Sequence, residues 1–197
     1  WETVRAYRVT EPRRLRDQDV EWEQYDLEYE DGPRDAETLM IHPATGRLFV
    51  VSKSAGDAAV YRAPKRLSTE RVNVLRRVAD APSGVTDGEF SPDGKQYVLR
   101  GYASATFFDA DEDFGTEMRR IDLPPQPQGE SLTWTRDGRE LLVGSEGVGS
   151  LIHRVDAWVG AGGDEPGDDG DAAEQTSGAF DDGRLGLWLL AAGAAVL

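Results

Sequence analysis

Three carboxylates lie at the start of similar strand-like segments of the chain and are candidates for metal binding or catalysis. They are Glu37, Asp87 and Glu130. Carboxylate oxygens bind hard cations such as Ca²⁺, and a cation-bound water activated by a carboxylate can hydrolyse esters. The same side chains could instead cap turns or pair with nearby arginines. The sequence therefore gives a candidate metal site, with calcium as the only candidate cofactor.

A second acidic pattern lies in DADEDFG, between two predicted strands. Asp109, Asp111 and Asp113 occupy positions 1, 3 and 5, as at the opening of a calcium-binding loop. The pattern then departs from that loop, because glycine falls at the seventh position and Arg120 stands where the closing glutamate would be. A solvated acidic turn is the alternative to a metal site.

The ends of the second strand in each segment carry three different side chains, Lys53, Tyr102 and Glu146. Different chemistry at one repeated position favours a ligand-binding surface, and ordinary variation at exposed strand ends is the alternative.

The residues needed for zinc binding, nucleophilic catalysis or phosphate binding are missing. The two histidines, His42 and His153, have no partner at zinc-ligand spacing, and the chain has no cysteine. No nucleophile elbow or phosphate-binding loop is present, so the sequence favours a binding module over an enzyme.

The net charge of −15 limits the partners of the chain. Nucleic-acid binding needs a basic surface that displaces counterions from phosphates, and anionic lipid attracts basic segments. The composition thus argues against nucleic acid and against electrostatic adhesion to a membrane.

The elements that position these residues repeat along the chain. Three segments, 37–53, 86–102 and 130–146, each read as an apolar strand, a tight turn with glycine and a second apolar strand. Their turn glycines, Gly46, Gly94 and Gly138, are separated by 48 and 44 residues. Further strands are predicted after the three hairpins, at 57–62, 71–78, 104–109, 117–123 and 150–155. Four strands per unit at a period near 45 is typical of a β-propeller blade.

The fold class predicted for residues 1–159 is therefore all-β, a partial propeller of about three and a half four-stranded blades. Two N-terminal strands, Thr3–Val9 and Val20–Tyr29, are interpreted as the third and fourth strands of an earlier blade. The last blade lacks its outer strand. Because closed propellers have 4–8 blades, we expect a fragment of a larger ring.

The C-terminal part differs in composition. Residues 160–184 hold eight acids, one base and seven glycines, which predicts a disordered acidic linker. Residues 185–197 are 13 consecutive apolar residues. We interpret them as an apolar C-terminal helix, a truncated transmembrane anchor, since a full span needs about 20 residues. A buried terminal helix is the alternative. The acidic flank favours a non-cytoplasmic position.

The string FSPDGK at Phe90–Lys95 resembles the repeat signature of TolB-type and WD-repeat-like bacterial propellers. The segments DAETLMIHPATGRLFVVSK and QGESLTWTRDGRELLVGSEG resemble exported actinobacterial propeller proteins and, more loosely, esterase-like phytase propellers. Thr38 and Ser131 depart from the phytase pattern, because each stands where glycine follows the acid. The resemblance covers about residues 35–155 and implies the fold, whereas propellers host enzymes, scaffolds and binders alike.

These observations predict an exported propeller on the extracellular face of the cell membrane, tethered through its C-terminal helix and monomeric when full length. It would bind a protein, peptide or glycan through the loops of its blades. One alternative is a metal-dependent esterase or phosphatase that uses Glu37, Asp87 and Glu130 around a cation. The other is a gene-model fragment with no function of its own.

Overall fold

The computed structural model describes residues 3–14, 16–158 and, as backbone, the strand at 186–192. These residues form fourteen strands and no helix. In chain order the strands are β1 (Val4–Thr10), β2 (Trp22–Tyr29), β3 (Asp35–Ile41), β4 (Leu48–Lys53), β5 (Ala59–Arg62), β6 (Asn73–Asp80), β7 (Asp87–Phe90), β8 (Gln96–Arg100), β9 (Ser104–Asp109), β10 (Glu117–Asp122), β11 (Gly129–Trp134), β12 (Glu140–Ser145), β13 (His153–Asp156) and β14 (Gly186–Ala192).

The strands form consecutive antiparallel blades. β3–β6 make the first blade, β7–β10 the second, and β11–β13 a third blade of three strands. Each blade begins with the hairpin that its glycine predicts. Gly94 and Gly138 have φ near +70°, where a side chain would be strained. Their amides close the turns by donating to the carbonyls of Ser91 and Thr135, at 2.8 and 2.9 Å.

The first strands of the blades, β3, β7 and β11, lie side by side, and the cores lie between the sheets. One core joins Phe49 and Val51 of the first blade to Tyr97 and Leu99 of the second. Another joins the second blade to the third, and its members include Phe107, Ile121, Trp134, Leu141 and Val143. Sheets that stack side by side around their innermost strands are the blades of a propeller. The predicted all-β propeller fold is thereby confirmed.

The N-terminal strands pack on the first blade as a further partial blade. β1 and β2 form an antiparallel pair, and Val4, Ala6 and Leu27 share a core with Leu48 and Val50. β2 lies between β1 and β6, because Leu27–Tyr29 also pair in parallel with Asn73–Leu75 of β6. The interpretation of these strands as the third and fourth strands of an earlier blade stays a prediction. The parallel pairing, which makes one seven-stranded sheet, is not predicted by the sequence.

The C-terminal apolar segment is described only at 186–192, as backbone. Gly186–Ala192 form the strand β14, antiparallel to β1, and the helix predicted for residues 185–197 stays a prediction. The free edge of β1 offers hydrogen bonds to a strand, and a continuous apolar run has no periodicity that distinguishes helix from strand. The rest of 185–197 and the predicted linker at 160–184 lie outside the described residues. No helix in the described part of the chain is long and apolar enough to cross a membrane.

Candidate functional site

The first residues of the inner strands β3, β7 and β11 lie on one face of the propeller, which we call the head face. The register of the three hairpins sets which residues are equivalent there. Ile41, Phe90 and Trp134 each pair with the first residue after a six-residue turn. Counting back from them makes Glu37 equivalent to Thr86 and Glu130. Asp87 lies one position further along, so the predicted equivalence of three acids holds for Glu37 and Glu130 only.

Four of the predicted site residues come together on the head face. The Lys53 Nζ lies 3.3 Å from a Glu37 carboxylate oxygen, with both side chains about 26–31% exposed. Burial lowers the pKa of Lys53, but the hydrogen bond and charge of Glu37 outweigh it. With smaller contributions from Tyr102 and Glu130, the net effect raises that pKa. We call Glu37, Lys53, Tyr102 and Glu130, which come from all three blades, the head-face cluster.

The third strand-end residue, Glu146, is held at the start of the loop that joins β12 to β13. Its carboxylate accepts a hydrogen bond from Gln128 Nε2 at 2.7 Å, and its amide donates to the Gln128 carbonyl at 2.8 Å. The loop that follows exposes three apolar side chains. Val148 is fully exposed, and Leu151 and Ile152 are each 72% exposed. Contiguous exposed apolar groups beside polar ones are typical of interaction surfaces.

Asp87 joins the second blade to the third. Its carboxylate accepts hydrogen bonds from the amides of Gly88 and Leu132, at 2.8 and 2.7 Å. Burial raises the pKa of Asp87 to about 6, and these two amides oppose the rise. Glu89 repeats the arrangement by accepting from the Trp134 amide at 2.8 Å, and burial raises its pKa as well. Both acids therefore tie β7 to β11.

Arg100, at the end of β8, is fully buried under the head face. Its guanidinium donates to the carbonyls of Ser131 and Gly144, at 2.8 and 3.1 Å, and to the Gln126 side chain at 3.2 Å. Burial lowers the pKa of Arg100, while the charges of Asp87 and Glu130 raise it. This one side chain thus supplies a positive charge beside two of the predicted acids and fixes the third blade against the second.

The predicted metal ligand Asp109 has partners within its own turn. The Asp109 carboxylate accepts from the amides of Asp111 and Asp113 at 2.8 and 3.3 Å, which closes the DADEDFG turn on itself. The side chains of Asp111 and Asp113 belong to exposed residues. Within residues 3–14 and 16–158, no group of three or more histidine, aspartate or glutamate side chains is arranged to hold a metal ion. Calcium binding stays a prediction from the sequence.

Comparison with known proteins finds similarity to solved structures. It matches no protein-family model and no curated protein sequence. Among solved structures, TolB from Acinetobacter baumannii shares 18% identity over 80% of this chain and 40% of its own, with a TM-score of 0.45. Hydrazine synthase from Kuenenia stuttgartiensis shares 15% over 61% and 34%, with a TM-score of 0.46. The Dos1 propeller shares 9% over 64% and 37%, with a TM-score of 0.44. The chain spans about a third to two fifths of these structures.

Sequence reasoning missed Glu89, Arg100 and the exposed β12–β13 loop. Glu89 differs from the residues equivalent to it in the other blades, Met40 and Thr133, and that difference is a signal available in the sequence. Arg100 ends the run QYVLR, where the equivalent strands have Val51 and Gly144. A charged residue in a strand otherwise apolar signals burial with partners. For the β12–β13 loop, the signal in the sequence is the apolar content of VGSLI at 148–152, next to glycines.

Proposed function

We propose that this protein is a non-enzymatic propeller module that binds a peptide segment of a partner protein on its head face. The observation that carries the proposal is the exposed apolar set Val148, Leu151 and Ile152, on the loop that begins at Glu146. Exposed apolar groups in one short loop gain free energy when a partner removes them from water. Tyr102, 48% exposed on the neighbouring blade, adds an aromatic residue of the type enriched in interfaces.

The charge of the head face favours a basic peptide. Glu37, Glu130 and Glu146 bring three carboxylates to it, against the charge of Lys53, which pairs with Glu37, and that of Arg100, buried beside Glu130. The net charge of the whole chain, −15, has the same sign and attracts a cationic partner over a longer range. A peptide with apolar residues and one or more Lys or Arg residues complements this surface.

The experiment is a selection from a phage-displayed random peptide library on the full chain, followed by anisotropy titration of the enriched peptides. We expect enrichment of basic and apolar residues. Combined substitution of Val148, Leu151 and Ile152 by serine is expected to weaken binding about 10-fold or more, equivalent to about 1.4 kcal/mol. Val72→Ser is the matched control, because Val72, the residue before β6, is 46% exposed. Enrichment of acidic peptides, or equal loss with Val72→Ser, would contradict the proposal.

The location predicted from the sequence is part of this proposal. Its support is the acidic composition of residues 160–184 and the apolar run that follows. In the structure, Gly186–Ala192 of that run pair with β1. Because the chain has no cysteine, Gly56→Cys on the exposed β4–β5 loop would be its only thiol. We expect a membrane-impermeant maleimide to label this thiol on intact cells, and we expect the protein in the membrane fraction. A thiol that reacts only after lysis would contradict export.

A further inference from the structure

The opposite end of the inner strands borders a second feature, a cavity of about 1550 Å³ that is open to solvent. This end carries the hairpin turns 42–47, 91–96 and 135–140, and we call it the turn face. The end of β1 and the start of β2 form the other wall of the cavity. The head-face cluster is absent from its lining.

Three equivalent residues line the cavity at the ends of the inner strands. Ile41, Phe90 and Trp134 are the last residues of β3, β7 and β11 and occupy the same position in the hairpin register. All three blades therefore present an apolar residue to one space, and in two of them it is aromatic. The repeat that builds the fold also builds this lining.

The opposite wall presents an exposed aromatic ring. Trp22, at the start of β2, is 59% exposed, and Tyr7 contacts it edge to face with ring centroids 5.5 Å apart. The contact with Tyr7 holds the indole in place, and the rest of the ring is exposed. An indole face is the strongest of the aromatic side chains in attracting a cation.

The charges around the cavity favour a cation. Three carboxylates line it, those of Glu21, Glu23 and Glu89, against the guanidinium groups of Arg8 and Arg136. Arg8 donates from Nε to Glu23 at 2.8 Å, so these two charges balance each other. Glu89 lies on the innermost strand β7, where its carboxylate accepts hydrogen bonds from the Trp134 amide and the Thr133 hydroxyl. His42 also lines the cavity, with its Nδ1 accepting from the Ala44 amide at 3.2 Å.

We propose that this turn-face cavity binds an organic cation with an apolar body, such as an aromatic amidine or amine, with Glu89 as its counter-ion and Trp22 as its aromatic wall. A carboxylate in a partly desolvated site attracts a cation more strongly than one in open water. The aromatic and aliphatic lining removes the body of the ligand from water. The site differs from the head face in residues, position and ligand.

The test uses the full chain with benzamidine as the probe and benzamide as its neutral counterpart. Saturation-transfer NMR and tryptophan fluorescence measure binding at millimolar concentration. We expect benzamidine to bind and benzamide to bind at least about 10-fold more weakly, since only the first carries a charge for Glu89 and Trp22. Glu89→Gln is expected to weaken benzamidine binding about 10-fold.

Two further variants keep the test decisive. Glu28→Gln removes an exposed carboxylate of β2 outside the cavity and is expected to leave binding unchanged. Trp22→Ala, at an exposed side chain, is expected to weaken binding in the NMR measurement even if Glu89→Gln does not fold. Equal binding of benzamide and benzamidine, full affinity in Glu89→Gln or Trp22→Ala, or no binding of either probe would overturn the proposal. The serine variant of the head-face loop should bind benzamidine normally, which separates this result from that of the peptide experiment.

Discussion

At the scale of single residues, Asp87 makes stability depend on pH. Its pKa of about 6 in the folded state lies above the ordinary value of 3.8, chiefly because the carboxyl is buried. A folded-state pKa above the unfolded one means that the protonated carboxyl stabilises the fold. That contribution is complete below pH 3.8 and is lost as pH rises through 6.

The first prediction compares Asp87→Asn with the parent protein. As pH falls from 7.5 to 4, the free energy of unfolding of the parent should rise relative to the variant by about 2–3 kcal/mol. Urea unfolding at a series of pH values measures this difference. The variant also replaces an acceptor of two amides, which shifts its stability at every pH by a constant amount. Parallel curves for the two proteins across this range would refute the assignment.

Gly129 and Arg100 form a close contact that only glycine allows. A Cβ at Gly129 would lie 1.8 Å from Arg100 Nη2 and 2.8 Å from Cζ. The guanidinium cannot move aside without leaving the carbonyls of Ser131 and Gly144 unpaired in a buried site. We predict that Gly129→Ala lowers the free energy of unfolding by about 2–3 kcal/mol. Gly56→Ala, where a Cβ meets nothing within 4 Å, is the control in the same denaturation assay.

The head-face cluster could be predicted from sequence because strand ends repeat with the hairpin. Lys53 and Tyr102 lie at equivalent distances from their turns, so counting residues places them on one face. The same count makes Thr86, and not Asp87, equivalent to Glu37 and Glu130, so aligning the nearest acids misplaces Asp87 by one residue. Counting could not identify Arg100, whose partners are backbone carbonyls 31 and 44 residues away.

At the scale of elements, the junction between β2 and β6 depends on Asn73, the only asparagine of the chain. Asn73 is 3% exposed and begins the parallel pairing opposite Leu27. Its Nδ2 donates to the carbonyls of Asp26 and Ser68, at 3.0 and 2.9 Å, and its Oδ1 accepts from the Ser68 amide at 2.8 Å. One side chain thus holds both β2 and the loop before β6.

We predict that Asn73→Ala lowers the free energy of unfolding by about 2–3 kcal/mol, because it leaves buried backbone groups without partners. Hydrogen exchange should accelerate in Leu27–Tyr29 more than in the strands of the second blade. Val74→Ala, at the next and exposed position of β6, should change neither quantity appreciably. Uniform acceleration through both blades would show that Asn73 does not act on this junction.

Most strands could be predicted because turn residues bound them and apolar and polar residues alternate along them. The predicted strand at 104–109 matches β9, and the predicted strand at 117–123 differs from β10 by one residue. β14 was not predictable, since its run of apolar residues fits a helix or a strand equally well. The edge that decides the outcome belongs to β1, more than 170 residues earlier in the chain.

At the scale of the molecule, each sheet shares apolar cores only with its neighbours. The core between the first and second blades and the core between the second and third have separate members. Such stacking resembles a repeat array, in which stability is a sum of units and of the interfaces between them. A cavity created in one core should therefore loosen one interface before the rest.

Leu141 tests this view, because it is completely buried in the core between the second and third blades. Leu141→Ala should remove about 3 kcal/mol of stability through lost burial and the cavity that remains. In native-state hydrogen exchange the amides of β11–β13 should lose protection, while those of β3–β6 keep theirs, since the core of the first blade does not include this side chain. Val72→Ala, at an exposed side chain, controls for substitution itself. If protection falls equally in β3–β6 and β11–β13, the blades unfold as a single cooperative unit and the layered description of stability is wrong.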